Sequence, residues 1–557
     1  MNKRIYLLLL AGLVSMPFAE AQKKKKSKVK TKTETVKVEP LPAPALKPYT
    51  EVAAEFATSI SASDLSQHLH VLASDEYEGR ETGKKGQKMA AEYISTHFRE
   101  IGLASPVKTD QPYYQTFELE ESSWKNATLK VKNQTFTFLK DLYVQGDVAT
   151  NGDQKLDLVF AGYGIEAPNY SDYQHLDVNG KTVVILSGEP TDAKGNYLVS
   201  GNKEASNWGE DYRTKVRAAL AKGAKNVIVV STDSEAQFQS TINRLKHWLE
   251  NPNLSLPEKK SNRPAAIFVS QQAGAALLNS NAKKLQNYLT SVKQAGKPVA
   301  STFKPSQEVT FNAAKNRAAI ATENILGYLE GTDKKDEIIV ITAHYDHVGM
   351  DPTLKGDQIF NGADDDGSGT SAVLELAQAF SEAAQAGYKP RRSLLFMTVT
   401  AEEKGLLGSE YYISNPVFPL EKTVANLNID MIGRLDKEHE NNPKYVYVIG
   451  SDKLSSELHT INEEANQKYT QLDLDYKFND ENDPNRFYYR SDHYNFAKNG
   501  IPVAFYFNGV HEDYHQPGDE VDKILFDKME TITRLVFHTA WELANREERI
   551  KVDSNKK

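Results

Sequence analysis

From residue 320 onward the chain alternates short apolar runs with amphipathic stretches, and this alternation restricts its fold more than any other feature. The runs Ile338 to Ala343, Ser393 to Thr400, Ala425 to Asp430 and Pro502 to Phe507 have the length and composition of strands. Between the first two, Val373, Leu376, Ala377 and Phe380 recur at helical spacing after Gly367-Ser368-Gly369. Strands alternating with helices predict an α/β fold, a mixed and mostly parallel open sheet with helices on both faces. The absence of an internal repeat argues against a solenoid or propeller.

Upstream the texture differs. Residues 64–103 read as two helices, the first carrying Leu65, Leu69 and Leu72, with a turn at Glu78-Gly79-Arg80 between them. Residues 145–315 hold β-rich runs such as Leu158-Val159-Phe160 and Thr182 to Leu186, broken by Gly162, Gly164, Pro168 and Gly180. They predict a β-rich inserted domain with few helices. At 557 residues the chain has room for two or three domains. The reading is a first part of one domain over 51–144, an insert over 145–315 and the main part over 316–550.

The N-terminus reads as an export leader: Lys3 and Arg4, the apolar stretch Ile5 to Val14, and Ala19-Glu20-Ala21 before Gln22. An exported protein, periplasmic or secreted, is expected, with no stable membrane insertion because no later segment is long and apolar enough. Residues 22–50 carry eight lysines within 23–37 and then Pro40, Pro42, Pro44 and Pro48, the composition of a disordered linker. The formal charge is −8, but residues 1–50 are basic and residues 51–557 sum to −16, so a nucleic-acid-binding body is not expected. Cysteine is absent, which removes disulfide scaffolds, thiolate metal sites and cysteine nucleophiles. A metal site must therefore use His, Asp and Glu.

Ligands gather where the strands of open α/β sheets end. Here the first strand is followed by His344, Asp346 and His347, and Gln358-Ile359-Phe360 by Asp364, Asp365 and Asp366. Ser393 to Thr400 leads to Glu402 and Glu403, Ala425 to Ile429 closes on Asp430, and Pro502 to Phe507 leads to His511 and His515. Each alone is an ordinary turn or cap residue. Together they would pile negative charge into one crevice unless divalent cations neutralised it, and sulfur-free donors suit zinc, cobalt or manganese. Adjacent Glu402 and Glu403 point opposite ways on an extended backbone, offering one metal ligand and one general base. His344-Tyr345-Asp346 offers an imidazole ligand and a carboxylate to orient it.

The stretches Ala343-His344-Tyr345-Asp346, Asn361 to Gly369, Thr400 to Ser409, Asn428 to Gly433, Arg490-Ser491-Asp492-His493 and Tyr514 to Asp519 resemble peptidase family M28, the co-catalytic zinc exopeptidases. Phe160 to Gly164, Asp177 to Lys181 and Lys222-Gly223-Ala224 resemble the protease-associated domain inserted in some members. The resemblance implies two zinc ions bridged by Asp365, with His344 and Asp430 on one and Glu403 and His515 on the other. It implies Glu402 as general base, Tyr514 as oxyanion stabiliser, Arg490 in contact with substrate and a cis peptide at Asp365-Asp366. The implied activity is an aminopeptidase acting on peptides. A glutamate carboxypeptidase-like exopeptidase, a one-zinc glutaminyl cyclase and a non-catalytic binding protein on the same scaffold are the alternatives, though no ligand is missing here.

Two other motifs compete. His511-Glu512-Asp513-Tyr514-His515 matches the helical metalloprotease pattern, but Gly509 and Pro517-Gly518 leave little room for a helix. Asp364, Asp366, Ser368, Gly369 and Glu375 fall at calcium-loop positions, although Ser371 stands where an apolar residue is usual.

Overall fold

The computed structural model describes residues 47–257 and 264–554; the leader and nearly all of the Lys/Pro-rich tail lie outside them. The first described helix is Tyr49–Ala57, whose first two residues fall inside the stretch read as linker. Tyr49 packs edge-on against Tyr388, and its carbonyl accepts Trp541 Nε1 at 3.0 Å.

The elements that position the site are, in chain order, α1 (Ala62–Leu72), α2 (Lys85–Glu100), β1 (Tyr114–Val131), β2 (Val309–Leu329), β3 (Lys334–His344), α3 (Gly369–Gln385), β4 (Arg392–Val399), β5 (Thr423–Ile429), β6 (Tyr445–Ile449), β7 (Val503–Phe507) and α4 (Phe526–Asn545). Ser61 caps α1 by accepting the Asp64 amide at 3.1 Å. The helix buries the Leu65, Leu69 and Leu72 stripe expected of it, together with His68.

Nine strands follow the main path of one sheet: Asn253–Ser255, β1, β2, β4, β3, β5, β7, β6 and Asp473–Asp475. The middle pairs β4/β3, β3/β5 and β5/β7 are parallel, while β1/β2, β2/β4 and β7/β6 are antiparallel. The apolar runs of β4, β5 and β7 are buried along their whole length, as strands covered on both faces must be. On one face α3 and α4 pack Phe380 against Phe537 at 4.7 Å between ring centres. On the other, Val340, Leu395 and Met397 meet Tyr412 and Phe496.

β1 and β2 form a long antiparallel ribbon from Tyr114↔Ile325 to Val131↔Val309, with a bulge between Trp124 and Asn126. One end of β2 pairs with β4, and the other buries Phe311 and Ala313 in the core of the insert. The insert has its own sheet, ordered Leu142–Gln145, Ala266–Val269, Asn226–Val230, Thr182–Leu186, Leu158–Phe160, parallel except for the first strand. Its core is strand-rich, but five helices lie along it where few were expected: Asn207–Glu210, Tyr212–Ala221, Glu235–Glu250, Gln271–Leu277 and Ala282–Ala295. Glu235–Glu250 buries Phe238, Ile242 and Leu249, and Ala282–Ala295 buries Leu285, Tyr288 and Val292. Stripes that sparse in polar sequence stand out less than Val/Ile runs do. Among the described residues no helix is long and apolar enough to cross a membrane.

Candidate metal centre

After β3 the chain passes through α3 to β4 on one side of β3, and then to β5 on its other side. That reversal opens a crevice at the carboxyl end of β3, where an open α/β sheet presents its ligand site. His344 ends β3, Glu402 and Glu403 follow β4, Asp430 follows β5, and His515 sits on the loop after β7. Asp365 enters from the turn before α3, and the Asp365-Asp366 peptide is cis, as the family resemblance implied.

Asp365 faces both halves of the cluster. Its Oδ1 lies 3.2 Å from His344 Nε2, and Asp430 Oδ1 lies 3.6 Å from the same nitrogen. Its Oδ2 lies 3.0 Å from His515 Nε2, which is 3.1 Å from Glu403 Oε2. His347, which the sequence placed at the strand end without a role, belongs to the second half: its Nδ1 is 2.8 Å from Glu403 Oε1 and 3.9 Å from Asp365 Oδ2. His347, Asp365 and Glu403 offer ligand atoms within 4.8 Å of one another, and so do His344, Asp366 and Asp430. Asp366 is the less available carboxylate, because Oδ1 accepts the amides of Gly369 (2.8 Å) and Met431 (3.2 Å) and Oδ2 that of His344 (3.1 Å). Buried His347, Glu403 Oε1 and His515 Nε2 have no well-formed hydrogen bond. A nitrogen- and oxygen-rich donor set with orphaned buried atoms at His347, Glu403 and His515 fits a divalent cation.

The surroundings hold these ligands in place. Asp519 accepts the amides of Asp364 (3.0 Å) and Asp365 (3.1 Å), and Ser491 Oγ donates to Asp430 Oδ2 at 2.7 Å. Arg80 is wholly buried below the Asp365 turn, donating to the carbonyls of Leu72, Tyr345, Asn361 and Gly362 at 2.7 to 2.9 Å. Gly362, at φ +56°, leaves room for this packing: a Cβ there would come within 2.5 Å of the His347 ring.

The electrostatics follow from burial. Desolvation pushes Glu402 well above the usual carboxylate range; His344 opposes the shift, and Glu403, Asp492 and Asp430 add to it. Burial disfavours charge on His344 and His515, but the adjoining carboxylates override it and His515 is raised to about 10. Burial raises Tyr514, so its hydroxyl stays protonated.

A pocket beside the cluster is walled by Met431, Phe487, Phe505, Phe507 and Val510, with Arg490 and Tyr514 at its polar side. Arg490 Nη2 is 3.3 Å from Tyr514 Oη, and its guanidinium lies over the Phe487 ring. The competing motifs separate. Residues 512–517 form turns, His511 faces Asp364 at 3.3 Å rather than the ligands of His515, and the Glu512 side chain is 84% exposed. In the calcium-loop pattern, Glu375 points instead to His68, 3.4 Å away.

An acid- and imidazole-lined crevice at strand ends is the kind of site that metal-dependent hydrolases use. Residues 324–540 match the model of Peptidase family M28. The insert lies outside the matched residues. Aminopeptidase YwaD of Bacillus subtilis is 28% identical over 453 residues, 77% of this chain and 79% of that protein. Leupeptin-inactivating enzyme 1 of Streptomyces exfoliatus is 37% identical over 163 residues, 29% of this chain and 32% of its own length. Among solved structures, an aminopeptidase from Aneurinibacillus sp. strain AM-1 superposes with a TM-score of 0.50 at 21% identity, covering 90% of this chain and 98% of that one, a likeness of fold.

Proposed function

We propose that the protein is an exported di-zinc aminopeptidase that hydrolyses the N-terminal peptide bond of peptides. The observation that carries the reading is Asp365, whose two oxygens face two separate sets of ligand atoms. His344 and Asp430 would hold one zinc ion, Glu403 and His515 the other, with Asp365 shared and His347 beside the second. When bound, such ions supply Lewis acidity, lowering the pKa of water and polarising the scissile carbonyl. Glu402 takes the proton as water attacks and delivers it to the leaving amine. Tyr514, kept protonated by burial, donates to the developing oxyanion, and Arg490 orients that hydroxyl. The pocket beside the cluster, walled by Phe487, Phe505 and Phe507, is where the first side chain of the substrate would sit. Export rests on the leader-like residues 1–21, and the N-terminal sequence of the mature protein checks it.

The deciding experiment is mass spectrometry of two peptides, one acetylated at its N-terminus and one amidated at its C-terminus, each with and without a chelator. Chelator-sensitive shortening of only the amidated peptide supports the aminopeptidase. Shortening of only the acetylated peptide moves the assignment to a carboxypeptidase, and internal cleavage ends the exopeptidase reading.

A further inference from the structure

The insert ends on an unpaired edge. Leu158–Phe160 is the last strand of its sheet, and no described strand pairs with its outer side. Asp157 O accepts the Thr182 amide at 2.7 Å and the Ala161 amide donates to Val184 O at 3.0 Å, so the odd-numbered residues face the neighbouring strand. By alternation, the amide and carbonyl groups of Leu158 and Phe160 point outward.

Along this edge runs a groove of about 530 Å³. One wall is the extended segment 298–305, which lies on the sheet face bearing Leu158 and Phe160; the other is the segment 171–176, from the opposite face. The groove therefore straddles the edge, and Leu158, Val159 and Phe160 line it, the first and last each 6% exposed. Exposed edges of this kind accept an additional strand, with main-chain hydrogen bonds giving affinity and flanking pockets giving selectivity.

The groove also has a charge preference. Asp172 lines it, and its Oδ2 accepts the amides of Tyr163 (3.0 Å) and Ile165 (3.1 Å). Its Oδ1 and Tyr288 Oη converge on the bare face of Gly162, where a Cβ would lie 2.4 Å from the first and 3.2 Å from the second. The buried Lys215, a nearby positive charge, is spent on the carbonyls of Leu186 and Gly188. The Asp172 carboxyl, raised to about 6 by burial and also met by the Tyr170 hydroxyl, lines an aromatic-walled groove that includes Phe160, Tyr288 and Phe303.

We infer that this groove binds an extended polypeptide segment by strand addition to Leu158–Phe160, with a lysine or arginine side chain of the segment seated against Asp172. The site is separate from the metal cluster, and its occupancy does not depend on hydrolysis.

The test uses the full chain with chelator present and a fluorescent peptide of about seven residues, acetylated and amidated, alternating valine and threonine around one lysine. Anisotropy should saturate. Affinity should fall by about tenfold or more in Asp172→Asn, whose amide oxygen can still accept the two backbone amides, and equally when the peptide lysine is replaced by glutamine. Ala300→Trp, on the exposed lip of the groove, should weaken binding without touching the carboxylate, and N-methylation of alternate peptide amides should abolish it. No saturable binding, binding indifferent to Asp172→Asn and to N-methylation, or a dimer of the chain that the peptide does not displace would each overturn the inference. Because the probe is blocked at both ends, these outcomes are independent of the exopeptidase assay.

Discussion

Asp346 holds the backbone of Glu402: its Oδ1 accepts the Glu402 amide at 3.1 Å, while its Oδ2 accepts Thr82 Oγ at 2.8 Å. The sequence suggested that this carboxylate orients His344. Instead His344 Nδ1 lies 3.0 Å from the Asp346 carbonyl oxygen and 3.9 Å from its carboxylate. The backbone of Asp346 thus fixes the imidazole, and its side chain fixes the loop that carries the proposed base.

Asp346→Ala should therefore act through Glu402. Two buried donors lose their acceptor, which costs about 1–3 kcal/mol each when no water replaces it. Turnover should fall about 10–100-fold, with metal content at the His344 side retained. Asp346→Asn, which keeps an acceptor oxygen, should recover part of the loss. Equal loss in both variants would show that charge, rather than placement of the loop, is what Asp346 contributes.

Glu402→Gln tests the base itself. The amide is close to isosteric but cannot take a proton, so kcat should drop by about 10²–10⁴-fold or more while KM and metal content hold. Full activity in this variant, with loss in Glu512→Gln, would transfer the role to the exposed residue of the competing motif.

Much of the site was legible because its residues follow apolar runs. His344 ends a strand of the parallel part of the sheet, Asp430 and Glu403 follow closely on two others and His515 lies on the loop after β7, and the topology alone brings those strand ends together. His347 was visible at the same strand end, but three residues beyond β3 its direction depends on a turn that periodicity does not describe. Arg80 was hidden for a different reason. Its partners Asn361 and Gly362 lie 281 and 282 residues away in sequence, and carbonyl acceptors carry no side-chain signature. The insert helices went unread because each spends only a few apolar positions on burial.

Arg80 gives the prediction on stability. Its planar guanidinium reaches four carbonyls at once, and around it lie the charges of Asp365, Asp366, Asp519 and Asp346. Lysine cannot reproduce that fork, and methionine removes the charge that offsets the carboxylates. Arg80→Met should cost about 3 kcal/mol or more in denaturant unfolding and lower metal affinity, with Arg80→Lys intermediate. Unchanged metal affinity in a variant that still folds would confine Arg80 to a packing role.

The last prediction concerns pH and a histidine outside the metal cluster. His493 is wholly buried, stacked on Phe505 at 4.5 Å, and burial lowers its pKa to about 3. An unfolded chain protonates the same imidazole near pH 6.5. The folded state therefore resists a proton that the unfolded state accepts, so this contribution to stability is complete above about pH 6.5 and drains away as pH falls toward 3. His344 and His515 have the opposite sign: His515, raised to about 10, stabilises the metal-free protein most below about pH 6.5 and loses that effect as pH rises through 10. A whole-protein profile mixes the two, but a difference isolates one. His493→Phe keeps the ring stack and removes the titration, so relative to the parent it should gain about 1.4 kcal/mol between pH 7.5 and 5.5. Urea midpoints of both proteins at the two pH values measure this, and a constant difference would mean that His493 takes up its proton in the folded state as easily as in the unfolded one.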